Sequence, residues 1–94
     1  MKFKDIYEPP CDRKDWYGKC TVYVAENGEK ALRSYRTLVM TQDSEGVLHR
    51  HWDGWSATTA RHVWKAFGVD TKAWRRMEVE RLPRKWRSLQ WTLG

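Results

Sequence analysis

The chain has 94 residues, a net charge of +6, and seven Trp, four Tyr and two Phe. That length allows one domain, residues 1–94, with a small core that buries about 60–70% of the unfolded surface. The aromatics enlarge such a core, since each buries about 150–250 Å². No apolar run approaches the ~18–20 residues of a membrane helix, and Met1-Lys2-Phe3-Lys4-Asp5 lacks the apolar stretch of a secretory leader. The expectation is a cytoplasmic protein with no membrane partner and with reduced thiols at Cys11 and Cys20, the alternative being an oxidised Cys11–Cys20 loop in an exported protein.

Residues 1–15 are polar, contain Pro9-Pro10 and read as an irregular arm. Residues 19–26 then alternate, with Val22 and Val24 on one face and Thr21 and Tyr23 on the other. Asn27-Gly28 is a hairpin signal, read here as a type I′ turn. A second strand is expected over 30–41, a turn at Asp43-Ser44-Glu45-Gly46, and a third strand over 46–52. In that last strand Val47, His49 and His51 share one face, and Leu48, Arg50 and Trp52 the other. The pattern predicts a three-stranded antiparallel meander.

A helix is expected over 56–67, capped by Ser56 and stopped by Gly68. Its wheel puts Ala57, Ala60, Val63, Trp64 and Phe67 inward. Thr58, Arg61, His62 and Lys65 then form an outward polar stripe. A second short helix is expected over 70–77, with Asp70 or Thr71 as cap and Ala73, Trp74 and Met77 inward. Beyond Pro83 the segment is basic, and Trp86, Leu89, Trp91 and Leu93 fit a helix or a strand equally. The predicted class is α+β, with the meander packed on the first helix.

Charge is unevenly placed. Residues 1–70 hold eleven Lys/Arg against ten Asp/Glu, whereas residues 71–94 hold seven against two. A basic end with interleaved Trp has the composition of a nucleic-acid surface, where bases stack on rings and phosphates meet cations. The same Trp also suit core packing in a small domain. The candidate binding residues are Arg61, His62, Lys65, Arg75, Arg76, Arg84, Lys85, Trp86 and Arg87.

Catalytic and metal chemistry have little to rest on. His49 and His51 with Cys11 and Cys20 make a weak zinc set, because eight residues separate the two cysteines where zinc sites use two to four. No nucleophile motif, phosphate loop or dinucleotide fingerprint is present in the sequence. The expectation is a non-enzymatic protein without cofactor or metal.

One resemblance stands out. Leu32-Arg33-Ser34-Tyr35-Arg36-Thr37-Leu38-Val39, followed by Trp55-Ser56-Ala57-Thr58-Thr59-Ala60-Arg61-His62-Val63, resembles small phage and prophage proteins of uncharacterised function. Those carry a Ser-Tyr-x-Thr-x-Val strand and a (Tyr/Trp)-Ser-x-Thr-Thr-x-(Arg/Lys)-His-(Ile/Val) helix start. The likeness covers about residues 20–68 and brings no catalytic residues. It implies a phage or mobile-element origin and action in the bacterial cytoplasm. By analogy of origin and size, the partner is a host protein or nucleoprotein, and the role that of an anti-CRISPR-like inhibitor of a host defence nuclease. The alternative is direct nucleic-acid binding through the basic, Trp-containing surface.

Overall fold

A computed structural model of the chain describes residues 2–9 and 19–87. Five strands come first: β1 (Phe3–Tyr7), β2 (Cys20–Ala25), β3 (Lys30–Ser34), β4 (Thr37–Gln42) and β5 (Leu48–Arg50). Helices α1 (Ala57–Phe67) and α2 (Thr71–Arg76) follow, then a helical turn over residues 84–87. The strands form one antiparallel sheet in the order β1-β2-β3-β4-β5. The class is α+β, a meander packed against a helix.

The sheet has five strands rather than three. The 30–41 stretch is two strands joined by a tight turn at Tyr35-Arg36, where Tyr35 takes φ 58°. No Gly or Asn announces that turn. The extra strand at the other edge is β1, inside the stretch expected to be irregular. Phe3 pairs with Ala25 and Tyr7 with Val22, across a bulge between Phe3 and Asp5. Residues 10–15 of that stretch, with Cys11, lie outside the described residues, as do Leu89, Trp91 and Leu93.

The two expected turns form, with one change of type. At Asn27-Gly28 only Gly28 has positive φ, and its amide donates to the Ala25 carbonyl at 3.0 Å. That is a three-residue loop with glycine in the left-handed position, not a type I′ turn. Asp43 to Val47 repeats it: Gly46 has φ 91°, and its amide donates to the Asp43 carbonyl.

Both faces of the sheet are covered, which explains why every residue of β2 is buried. On the first face Cys20, Val22, Val24, Leu32 and Met40 pack with Ala60 and Val63 of α1 and Trp74 of α2. A bulge in β4 opposite Leu32/Arg33 turns Val39 into this same layer. On the second face Tyr23, Ala25, Ala31 and Leu38 pack around Trp86, with Phe3 and Leu82 at the margin. Trp86 is fully buried and its ring stacks on Phe3 at 6.1 Å. The C-terminal segment therefore crosses the molecule to close the second core.

That placement corrects the reading of Trp86 as a binding residue: the ring fills the core instead. Its neighbour Lys85 is tied down too, by an ion pair with Glu29 at 2.5 Å. This contact holds the Glu29 carboxyl below the ordinary carboxylate range, with help from the Asn27 amide. Arg87 donates from Nε to the Leu82 carbonyl at 3.0 Å.

Trp86→Ala is expected to cost about 3–5 kcal/mol of stability, the range for emptying a buried aromatic site. Urea unfolding measures it. A loss below about 0.5 kcal/mol, typical of surface positions, would show that the ring is not a core element.

Candidate functional site

Helix α1 starts and stops as its sequence requires. The Ser56 hydroxyl accepts from the Thr59 amide at 3.0 Å. Gly68 adopts φ 69° and its amide closes on the Trp64 carbonyl. The helix is nevertheless rotated from its expected phase. Thr59, Ala60, His62 and Val63 are buried, while Ala57, Arg61, Trp64 and Lys65 are exposed. At 100° per residue the buried arc lies roughly 80° from the one the apolar residues suggest.

Polar contacts set that phase. The Ser34 hydroxyl, at the end of β3, lies 3.0 Å from the Thr59 hydroxyl and 2.8 Å from Nδ1 of His62. Ser56 donates to Thr59 at 2.9 Å. Ser34 therefore bridges Thr59 and His62, and the imidazole tautomer decides which partner donates. Burial pushes the His62 pKa down, which favours the neutral imidazole. His62 therefore docks the helix on the sheet, a correction to its assignment as an exposed binding residue.

The rotation brings Trp64 outward, where the apolar pattern puts it inside. Trp64 is 53% exposed, and Trp55, one residue before the cap, is 51% exposed. Together they flank a groove of about 390 Å³, with Ala57, Ala60, Arg61, Asp70 and Thr71 completing its lining. The Arg75 guanidinium sits 5.8 Å from the Trp55 ring centroid, within cation–π range. Arg61 and Lys65 on α1, and Lys72, Arg75 and Arg76 on α2, are all exposed. Neither helix has an acidic residue in its first turn. This corner joins two large aromatic rings to a cationic field.

The structure therefore divides the predicted basic residues. Arg61, Lys65, Arg75 and Arg76 share the helical side of the molecule. Arg84, Lys85 and Arg87 belong to the segment closing the opposite face. Trp55 and Trp64 are the contributors that sequence reasoning missed. Two adjacent apolar positions, Val63 and Trp64, cannot both face one sheet squarely, and the smaller one does.

A second cleft, about 310 Å³, lies on the other side of the α1 start. Ser34, Tyr35, Thr37, Val39, Trp52, Ser56 and Thr59 line it. The motif residues that carried the phage-like resemblance thus meet in space. Among the described residues no group of three or more His, Cys, Asp or Glu is placed to hold a metal. His49 is instead held between two carboxylates, Asp43 at 3.0 Å and Glu80 at 2.8 Å. No helix among the described residues is long and apolar enough to cross a membrane.

A family model described as a family of unknown function, DUF8033, matches residues 1–81. The chain belongs to that family. No curated protein and no solved structure matches it. The family match spans all five strands and both helices.

The histidines give opposing pH dependences. Hydrogen bonding to Asp43, then to Glu80, raises the His49 pKa. Its clamp is therefore fully formed below the unfolded value of about 6.5 and is lost as pH rises through the higher folded value. Burial lowers the pKa of His51 and His62, so their contribution is full above ~6.5 and falls as pH drops through the folded values. In calorimetric melts, the stability difference between wild type and His49→Ala is expected to shrink from pH 5.5 to pH 9. A difference that stays constant or grows would contradict the clamp.

Proposed function

We propose that this chain is a non-enzymatic binding module that docks a host macromolecule through the basic, tryptophan-flanked corner of α1 and α2. The observation that carries this reading is the pair of half-exposed rings, Trp55 and Trp64, beside Arg61 and Arg75. Large exposed aromatics are costly to leave in water unless something covers them. Trp and Arg are also the residue types that most often dominate binding energy at protein interfaces.

An acidic protein surface fits this corner better than a nucleic-acid backbone. Asp70 lines the groove beside the two tryptophans, and a carboxylate there repels a phosphate chain threaded through it. A protein partner can meet the cations with carboxylates and fill the groove with one bulky side chain. The resemblance of residues 20–68 to phage and prophage proteins supports a bacterial host protein or nucleoprotein as that partner, met in the host cytoplasm. Inhibition of a defence nuclease is a role of this kind. Direct nucleic-acid binding is the second reading, favoured by the Arg75–Trp55 stack, which is the arrangement that also supports a base.

The test is affinity capture from bacterial lysate with wild type, Trp64→Ala, and the double variant Arg61→Glu/Arg75→Glu. Circular dichroism establishes that each variant is folded. The expected result is one stoichiometric protein partner, retained after nuclease treatment. Trp64→Ala should weaken its affinity by about thirtyfold, equivalent to about 2 kcal/mol, and the double variant should abolish capture. Equal capture by all three proteins would overturn the assignment of this surface. Recovery only of nuclease-sensitive material, with single-stranded oligonucleotide affinity falling steeply with salt, would replace the first reading with the second.

A further inference from the structure

Residues 78–82 form a strap between α2 and the turn that carries Trp86. The strap lies against β5, the last strand of the sheet. Val79 bridges to Arg50 in parallel register, and the Glu80 amide donates to the Arg50 carbonyl at 2.7 Å. An uncovered edge strand is a template for pairing with another chain, and this strap covers β5. One bridge is a slight cover, and side chains supply the rest.

Two stacked imidazoles fasten the strap, with different proton demands. His49 places Nε2 3.0 Å from an Asp43 oxygen and Nδ1 2.8 Å from a Glu80 oxygen. An ionised carboxylate only accepts, so both ring nitrogens must donate, and only the imidazolium has two N–H groups. His51 places Nδ1 3.0 Å from the Glu80 carbonyl and Nε2 2.7 Å from the Thr41 hydroxyl. The carbonyl needs a donor, whereas the hydroxyl can itself donate to Nε2. A neutral ring protonated on Nδ1 meets both, and burial, which lowers the His51 pKa, favours that form.

The two carboxylates on His49 are not equally fixed. Oδ1 of Asp43 accepts from the amides of Glu45 and Val47, each at 2.9 Å, which sets Oδ2 against the ring. The Glu80 side chain is 49% exposed, and among the described residues its carboxylate bonds to His49 alone.

We infer that His49 is a protonation-controlled clasp: as imidazolium it fastens the strap over the β5 edge, and its deprotonation releases the Glu80 side chain and lets residues 78–82 open locally from that edge. The neutral ring keeps its one N–H on the rigidly held Asp43. The Nδ1 lone pair then faces a carboxylate that cannot donate, and Glu80 leaves. The strap is afterwards held by its main-chain contacts to Arg50 and His51. The charges acting on His49 are Asp43 and Glu80, and its titratable neighbour is His51; Thr41 on β4 adds none. Hydrogen bonds to Asp43, then Glu80, raise the His49 pKa. The clasp is therefore closed below about 6.5 and opens as pH rises through the higher folded value. His51 and His62, with lowered pKa values, are already neutral in that window. None of the clasp residues belongs to the α1–α2 corner, so the inference stands apart from the function proposed for it.

Hydrogen exchange of the full chain at about pH 6.5 and about pH 9, normalised to the intrinsic exchange rate at each pH, tests the clasp. The Glu80 amide is expected to lose protection at least about threefold at the higher pH, the modest effect of half-exposed ion pairs, while the amides of β2, β3 and β4 keep theirs. Glu80→Gln keeps the side-chain length and adds an amide that can donate to Nδ1 of the neutral ring, so its Glu80-position protection is expected to be equal at both pH values. His49→Ala is expected to show the lower protection at both. Two-bond proton–nitrogen NMR of the His49 ring is expected to show both nitrogens protonated at the lower pH and Nε2 alone at the higher. Three results would each overturn the inference: a His49 ring already neutral at the lower pH, wild-type Glu80 protection that does not change, or an equal fall in Glu80→Gln.

Discussion

The architecture depends on one buried cation. Arg50, at the end of β5, is 6% exposed, and its described hydrogen bonds all run to main-chain carbonyls. Nε donates to Trp52 at 2.8 Å and Nη2 to Gly54 at 3.0 Å. Nη1 reaches the Trp74 carbonyl at 3.2 Å and that of Arg75 at 3.4 Å. The latter two belong to the last turn of α2, where helix carbonyls lack intrahelical donors and the dipole favours positive charge. The guanidinium also lies 4.8 Å from the Trp74 ring. A guanidinium offers five donors in a planar fork, which suits it to join two stretches of backbone at once. A third is joined by its own main chain: the Glu80 amide donates to the Arg50 carbonyl at 2.7 Å, and Arg50 bridges to Val79.

The exposed corner follows from that junction. With Trp74 drawn inward, the next residue, Arg75, points outward to Trp55. Trp52 stacks on Trp74 at 6.1 Å and leaves no room beside it for a side chain at position 54. A Cβ on Gly54 would collide with the Trp52 ring. The chain passes closely over that ring and delivers Trp55 to the surface and Ser56 to the helix cap. Three and six residues beyond that cap, Thr59 and His62 meet Ser34, and these contacts fix the rotation that exposes Trp64. The groove is thus a consequence of two buried polar centres, one at Arg50 and one at His62. Each is a costly group to bury, and each makes hydrogen bonds that this arrangement supplies, Arg50 to main-chain carbonyls and His62 through Nδ1 to Ser34.

What was legible in the sequence was local. The Ser56 and Asp70 caps, the Gly68 stop, and the turns at Gly28 and Gly46 each follow from the conformational preference of one residue. The alternation that placed Arg50 opposite His49 and His51 also holds, since those two rings stack at 6.5 Å on one side while Arg50 turns in. What was not legible required knowledge of a distant partner. The turn at Tyr35-Arg36 has no glycine and exists because β3 and β4 pair on either side of it. β1 hides because Lys4, Asp5 and Ile6 are all exposed, which leaves no apolar alternation to read. The helix phase departs from the apolar pattern because hydroxyl–imidazole contacts with β3 outweigh the apolar count. Trp64 and Trp86 exchanged roles for the same reason: composition says how many rings a chain has, and only tertiary contacts say which are covered. The basic C-terminal charge, contiguous in sequence, is spread over two sides of the molecule.

Amide hydrogen exchange on Arg50→Met tests most directly whether Arg50 organises the corner. Methionine keeps a long apolar stem but removes every donor to the four carbonyls. The account predicts that the Trp74, Met77 and Glu80 amides lose protection while the amides of β2, β3 and β4 keep theirs. Unchanged protection at Trp74, Met77 and Glu80 would contradict it.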